Sequence, residues 1–178
     1  MSPIEQEQVL KSMSIIHDTR EQNTERARRR YAAFGCPVSA CVLDFGDYTY
    51  NARLLDGKPI FDETSKVFPY ISIERKMSLD ELAGCFTHDR KRFEAEMVRA
   101  QDHGSRVFLL CENSTWENLL LGRYRSKFRP QSFLASITAW EIRYNLQLIF
   151  CKEETSPRLI KEILYRDLKE RLTNGQFG

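Results

Sequence analysis

Residues 67–76, VFPYISIERK, decide the fold prediction, because an apolar run leads directly into Glu74, Arg75 and Lys76. The apolar and β-branched residues predict a strand that enters a hydrophobic core. The strand then carries an acid, a guanidinium and an amine in succession. Charged groups are rarely buried for stability, since their burial is costly unless they are paired. This placement therefore indicates a functional site.

A second carboxylate, Asp47, follows a glycine at the start of another predicted strand. Mg²⁺ prefers carboxylate, carbonyl and water oxygens, so Asp47 and Glu74 could supply two ligands and the main-chain carbonyl of Arg75 a third. Because side chains alternate along a strand, Lys76 should share a face with Glu74, where its ammonium could orient an attacking water. Arg75 should point to the other face and pair with a buried acid such as Asp80. Two carboxylates, a lysine and a metal ion are the minimal set for phosphodiester hydrolysis.

Each part of this pattern also has a plain structural interpretation. An Asp after Gly is usually a turn residue, and a charge triplet commonly ends a strand at a solvated edge. The combination of two carboxylates, an apolar strand and a lysine two residues after the second acid is less common. It favours a metal-dependent nuclease.

The composition limits the other classes of function. The chain has 178 residues, 42% of them hydrophobic, which suits one well-buried domain. The net charge is only +2, so attraction to nucleic acid must come from local patches. The five cysteines are scattered without a CxxC pair, so we expect reduced thiols and no zinc site. With no signal peptide and no apolar run near ~18 residues, we expect no membrane association and a cytoplasmic location, in a bacterial or phage-infected cell or wherever the DNA substrate lies.

The hydrophobic pattern alternates between strands and helices and predicts an α/β domain. Strands are expected at 14–17, 38–43, 46–55, 67–76, 107–111 and 148–151. Helices are expected at 25–34, from about residue 78, and at 88–103, 116–121, 130–146 and 157–172. Asp56-Gly57 predicts a two-residue hairpin loop. The run 107–111 is continuously apolar, as in a central strand that is covered on both faces.

Four ordered motifs give the sequence a specific resemblance. Gly46-Asp47-Tyr48 followed by Glu74-Arg75-Lys76 and Asp80 resembles the GDY…ERKxxxD pattern of XPF-type structure-specific endonucleases, and residues 18–21, DTRE, look like the upstream DxRE element of that family. The resemblance covers about residues 14–146. It implies a restriction-endonuclease-like α/β core, with a central mixed β-sheet flanked by helices, that uses Mg²⁺, or Mn²⁺ in its place, to cleave one strand of branched DNA.

The resemblance also implies roles for individual residues. Glu21, Asp47 and Glu74 become the metal-facing acids, and Lys76 becomes the catalytic lysine. The supporting residues are Asp18, Arg20, Arg75 and Asp80. We expect residues 1–13 to be an N-terminal extension, loosely ordered or a short helix, and residues 14–178 to be a single XPF-like nuclease domain. No helix-hairpin-helix module is recognisable, which suggests a standalone member of the kind that a phage or prophage could encode.

Local basic clusters are the candidate DNA contacts. Residues 123–129, RYRSKFR, alternate basic residues (Arg123, Arg125, Lys127, Arg129) with Tyr124, Ser126 and Phe128. Basic groups neutralise phosphates and aromatic rings can stack on unpaired bases, although the alternation also fits an amphipathic strand with a solvated face. Arg26, Arg28, Arg29 and Arg30 crowd one short helix, and Arg92 could approach the scissile phosphate; both could equally be ordinary surface helices.

Three functions stay open on the sequence alone. The first is an endonuclease acting on branched or flap DNA during repair, recombination or replication. The second is a nuclease of the same fold on plain duplex or single-stranded DNA. The third is a non-catalytic DNA-binding or dimer-partner domain, which the intact Asp47, Glu74 and Lys76 disfavour. The family resemblance also implies a homodimer formed through the C-terminal helices.

Overall fold

The computed structural model describes residues 1–177. The chain divides into two compact units, one formed by Met1–Phe68 and the C-terminal residues from Pro157, the other by Pro69–Ser156. The strands are β1 (Ser14–Asp18), β2 (Val38–Cys41), β3 (Tyr48–Asn51), β4 (Ile71–Lys76), β5 (Arg106–Glu112) and β6 (Leu146–Cys151). The helices are α1 (Pro3–Lys11), α2 (Glu25–Ala33), α3 (Leu79–Phe86), α4 (Arg90–Asp102), α5 (Trp116–Leu120), α6 (Pro130–Arg143) and α7 (Ser156–Thr173).

The first unit has a mixed sheet in which β1 is the central strand. β1 pairs with β2 in parallel and with β3 in antiparallel orientation. Thr24 caps α2 by accepting a hydrogen bond from the amide of Ala27. Residues 3–11 form a helix whose N-terminus has a capping box, with Ser2 and Glu5 satisfying each other's backbone amides.

The second unit has a parallel sheet with β5 in the middle, between β4 and β6. β5 is buried along most of its length, which explains its continuous apolar sequence. Helices α3, α4 and α6 pack their aromatic residues against one another. The ring of Phe86 contacts those of Phe93, Phe133 and Trp140, with centroids 4.8–6.1 Å apart.

Several predicted boundaries differ from those in the structure. The strand before Glu74 begins at Ile71 rather than at residue 67, because Pro69 has no amide hydrogen to donate to a ladder. β3 ends at Asn51 rather than at residue 55. The hairpin loop contains three residues, since the amide of Leu54 donates to the carbonyl of Lys58, and Gly57 takes the left-handed position at φ +83°. α6 ends at Arg143, just before Asn145, which has φ +49°.

The predicted α/β class is confirmed, and the mixed pairing is present at β1. None of the helices in residues 1–177 combines the length and the hydrophobicity that a membrane span needs. The candidate site residues divide between the two units. Asp18, Arg20, Glu21 and Asp47 belong to the first, and the ERKxxxD residues to the second.

Candidate active site

Glu74 and Lys76 form a close ion pair at the end of β4. Nζ of Lys76 lies 2.6 Å from Oε1 of Glu74, and the two side chains are 13% and 7% exposed. The shared face follows from the two-residue period of a strand, as the sequence predicts. The ammonium also lies over the ring of Phe93, 5.6 Å from its centroid. A lysine that is held this tightly has little rotational freedom left to lose when it acts on a substrate.

Arg75 lies on the opposite face of β4 and contacts the neighbouring strand. Its Nη1 is 3.2 Å from Oε2 of Glu112, which is fully buried at the end of β5. The hydroxyl of Ser156 donates to the other oxygen of Glu112 at 2.6 Å. The expected pairing of Arg75 with Asp80 is therefore wrong. The strand next to β4 provides the closer acid, because parallel pairing with β5 brings the ends of the two strands together.

Asp18 is buried at the end of β1, and both oxygens of its carboxylate accept hydrogen bonds. Arg20 donates through its backbone amide and its Nε to Oδ1 and through Nη2 to Oδ2, each at 2.7 Å, and the amide of Leu43 donates to Oδ2 at 3.0 Å. Burial alone would raise the pKa of Asp18, but these hydrogen bonds outweigh it and lower the pKa. With its acceptor positions occupied, Asp18 has the geometry of a structural support rather than of a metal ligand.

Glu21 and Asp47 lie beside this support in the first unit. The carboxylate of Glu21 accepts a hydrogen bond from the hydroxyl of Tyr48 at 3.1 Å, and that hydroxyl accepts one from Nη1 of the buried Arg30 at 3.1 Å. The main-chain carbonyl of Asp47 accepts from the amide of Asp18 at 2.9 Å. Gly46 precedes Asp47 at φ +75°, a conformation that disfavours other residues. The DxRE and GDY motifs are thus joined by direct hydrogen bonds.

Asp80, in the first turn of α3, binds the backbone of the segment before α6. Its Oδ1 accepts from the amides of Arg125 and Ser126 at 2.8 and 2.7 Å, and its Oδ2 from Nε of Arg125 at 3.3 Å. The last acid of the ERKxxxD motif therefore contacts one of the basic clusters that the sequence singles out.

Residues 123–129, here called the basic segment, are not a strand, although they alternate as the sequence pattern does. The basic residues at 123, 125, 127 and 129 are exposed, and the residues between them are half-buried. The rings of Tyr124 and Phe128 pack against Phe133 of α6, with centroids 5.6 and 5.1 Å apart. The hydroxyl of Tyr124 donates to the carbonyl of Phe128 at 2.7 Å. The aromatic residues thus fix the segment, so they are not available to stack on bases in this conformation.

The other predicted DNA contacts differ in exposure. Arg26 is half-buried on α2, Arg29 is exposed and paired with Glu25, and Arg30 is buried. Arg30 therefore does not belong to a basic surface, because its guanidinium supports Tyr48. Arg92 is exposed on α4, with Nη2 3.5 Å from Oδ2 of Asp89.

The donor set of β4 fits a hard cation. The described hydrogen bond to the Glu74 carboxylate reaches Oε1, which leaves Oε2 available to a cation. Within residues 1–177, no group of three or more His, Cys, Asp or Glu side chains is arranged to hold a metal. Mg²⁺ needs fewer protein ligands, because it keeps several waters and binds one or two carboxylates together with substrate phosphates.

The thiol of Cys85 is inert in this environment. Burial raises its pKa to about 12, although the charge of Lys76 acts in the opposite direction. A neutral thiol is neither a nucleophile nor a good metal ligand near pH 7. The chemistry near Glu74 is therefore that of oxygen ligands and an ammonium.

Sequence reasoning missed two supporting networks. Glu112 is the acid that ends the apolar run of β5, and a single acid after such a run is the signal that could have identified it. Arg30 lies three and four residues from the buried Ala27 and Phe34, so it continues the apolar stripe of α2 rather than its polar face.

The chain belongs to the ERCC4 domain family. The family model for the ERCC4 domain matches residues 17–162, which is well over half of the chain. The match includes all four motifs, from Asp18 to Asp80, and it confirms the predicted XPF-type nuclease domain. No curated protein matches the chain.

Solved structures show the same fold. XPF from Aeropyrum pernix is 21% identical, with a TM-score of 0.59, over 86% of this chain and 61% of that chain. XPF from Aeropyrum pernix in complex with DNA is 22% identical, with a TM-score of 0.54, over 93% of this chain and 67% of that one. This chain thus spans less than two thirds of the first of these relatives. The similarity confirms the predicted restriction-endonuclease-like fold.

Proposed function

We propose that this chain is a Mg²⁺-dependent DNA endonuclease that hydrolyses phosphodiester bonds in branched or flap DNA. Membership of the ERCC4 domain family supports the nuclease class, and a related XPF structure with DNA supports a DNA substrate. The observation that carries the proposal is the pair of Glu74 and Lys76 on β4. There Oε1 of a buried carboxylate lies 2.6 Å from an ammonium.

We assign Asp47, Glu74 and Glu21 as the metal-facing acids, with the main-chain carbonyl of Arg75 as a further donor. This assignment follows from the order of the motifs along the chain. When bound, Mg²⁺ would supply a Lewis acid that neutralises the scissile phosphate and lowers the pKa of an attacking water. Mn²⁺ should substitute, because it favours the same oxygen ligands.

Lys76 supplies the second positive charge in this mechanism. In the proposed mechanism, the ammonium beside Glu74 donates hydrogen bonds to the attacking water or to a phosphate oxygen. Phe93 and Glu74 hold it there before the substrate arrives. Such preorganised donors contribute most where charge develops in the transition state.

The basic segment supplies phosphate contacts. Its side chains at 123, 127 and 129 form no ion pair with any described acid, so they can bind phosphate without first breaking a salt bridge. Because the net charge of the chain is only +2, local charge of this kind must provide the attraction to DNA.

Cleavage assays with four labelled substrates test this function. Flap, fork, plain duplex and single-stranded DNA are incubated with the purified chain in Mg²⁺, in Mn²⁺ or in EDTA. We expect metal-dependent cleavage of the flap and the fork, at rates well above those of the linear substrates. Equal rates on all four would replace the branch preference with a general nuclease. Binding without cleavage in either metal would favour the non-catalytic alternative.

A further inference from the structure

Asp80 is the one acid of the ERKxxxD motif whose described contacts all lie in the basic segment. Its carboxylate accepts the backbone amides of Arg125 and Ser126 and the Nε of Arg125. Burial acts to raise the pKa of Asp80, but these hydrogen bonds outweigh it and the pKa is lowered. The charged form is therefore the one that the segment binds.

The basic segment has no secondary structure that would fix its backbone. Two sets of side-chain contacts hold the backbone of the segment instead. On one side, Tyr124 and Phe128 pack against Phe133 of α6. On the other side, Asp80 of α3 binds the two amides in the middle of the segment, at 2.8 and 2.7 Å. The basic side chains of the segment are exposed to solvent.

We propose that Asp80 is a positioning residue that holds the basic segment in its DNA-binding conformation. The inference rests on the proposed function, since it concerns how the same protein binds its substrate. Asp80 couples the motif that contains Glu74 and Lys76 to the phosphate-binding surface through α3. Asp80 contacts neither metal nor phosphate in this account, because its acceptor oxygens face the segment.

The direction in which one substitution changes DNA affinity distinguishes this role from a simple electrostatic one. Asp80→Ala removes a negative charge from a DNA-binding surface, so electrostatics alone predicts tighter binding. If Asp80 positions the segment, binding should instead weaken. Each phosphate contact contributes ~0.9 to the slope of log K against log[salt], which is about an eightfold change in affinity between 1 M and 0.1 M salt. Loss of one to two contacts predicts about 8- to 60-fold weaker binding at 0.1 M salt.

Two matched variants complete the test. Asp80→Asn keeps a carbonyl oxygen that can accept both backbone amides, so it should bind within about twofold of the wild type. Asp102→Ala removes the same charge from the exposed end of α4, where the side chain has no described contact, and should bind as tightly as the wild type or more tightly. Binding is measured with fluorescent fork DNA in Ca²⁺, over a series of salt concentrations.

Hydrogen exchange provides a measurement that does not depend on DNA. In the free protein, the amides of Arg125 and Ser126 should exchange faster in Asp80→Ala than in the wild type, and the amides of β5 should be unchanged. Faster exchange that is confined to the basic segment would exclude general unfolding as the cause of weaker binding.

Three results would overturn the proposal. They are unchanged or tighter binding by Asp80→Ala, equal weakening by Asp80→Asn and Asp80→Ala, and unchanged amide exchange in the basic segment. Each of these results leaves the nuclease function intact if metal-dependent cleavage persists. Failure of the wild type to cleave any substrate would instead contradict the proposed function, whatever the exchange data show.

Discussion

The buried pair of Arg75 and Glu112 provides a sharp prediction about stability. Glu112 is fully buried, Arg75 is 11% exposed, and their charged atoms lie 3.2 Å apart. Glu112→Gln preserves the side-chain shape and an acceptor for Ser156, but it removes the charge that pairs with Arg75. Breaking a buried ion pair costs about 3–5 kcal/mol. Because Arg75 keeps some access to water, we expect a loss of about 3 kcal/mol in the free energy of unfolding.

A change of this size is easily measured. In a protein of this length, each ~1 kcal/mol shifts Tm by about 2–4 °C, so Tm should fall by about 6–12 °C. Urea denaturation, followed by both far-UV circular dichroism and tryptophan fluorescence, gives the free energy and tests whether unfolding is two-state. The double variant Arg75→Met/Glu112→Gln should be more stable than Glu112→Gln alone, since it no longer buries an unpaired charge.

An exposed pair on α7 is the matched control. Nε of Arg166 lies 2.7 Å from Oε1 of Glu162, but both side chains are more than half exposed. Glu162→Gln should therefore change the free energy of unfolding by less than about 0.5 kcal/mol. If Glu112→Gln costs no more than this control, the pair does not stabilise the end of β4 and the reasoning is refuted.

The other predictions concern catalysis, DNA binding and pH. Lys76→Ala should abolish cleavage but leave fork affinity nearly unchanged, because one phosphate contact is a small share of binding; parallel loss of both would make Lys76 a phosphate-binding residue instead. Neutralising Arg123, Arg125 and Lys127 together should lower the salt slope of log K by ~2–3, and an unchanged slope would exclude the segment from the DNA path. Since the folded-state pKa of Asp18 is lowered, its contribution to stability is present above its unfolded pKa of about 3.9 and is lost as the pH falls through the folded pKa. As the pH is lowered, the free energy of unfolding should therefore decrease less for Asp18→Asn than for the wild type. Equal decreases would contradict this.

The strand and helix periods of the sequence, together with the order of its motifs, were sufficient to predict the fold class and the faces on which several residues lie. The alternation along β4 correctly placed Glu74 and Lys76 on one face and Arg75 on the other. The helix predicted at 88–103 is present as α4, and its buried residues Phe93, Met97 and Ala100 are three and four positions apart, as the helical period requires. These predictions depend only on local geometry, which a single sequence contains.

Partners that are distant in sequence could not be predicted in the same way. The acid that pairs with Arg75 is set by the parallel register of β4 and β5, which brings Arg75 level with Leu110 and close to Glu112. The alternating basic and aromatic residues of the basic segment also fit an amphipathic strand. In the structure, their alternating exposure arises instead from aromatic packing on α6 and from the hydrogen bonds to Asp80. Both depend on tertiary contacts between residues that lie 37 to 46 positions apart or belong to a different element.

The most direct test of the central claim is the single-turnover rate of flap cleavage in Mg²⁺ for the wild type, Glu74→Gln and Asp47→Asn. Each substitution removes an anionic oxygen and keeps the side-chain shape. Loss of several kcal/mol of transition-state stabilisation predicts rates about 10²–10³-fold below the wild type in variants that remain folded, as far-UV circular dichroism verifies. Glu117→Gln, an exposed acid on α5, should cleave at the wild-type rate. Near wild-type rates for both Glu74→Gln and Asp47→Asn would contradict the account.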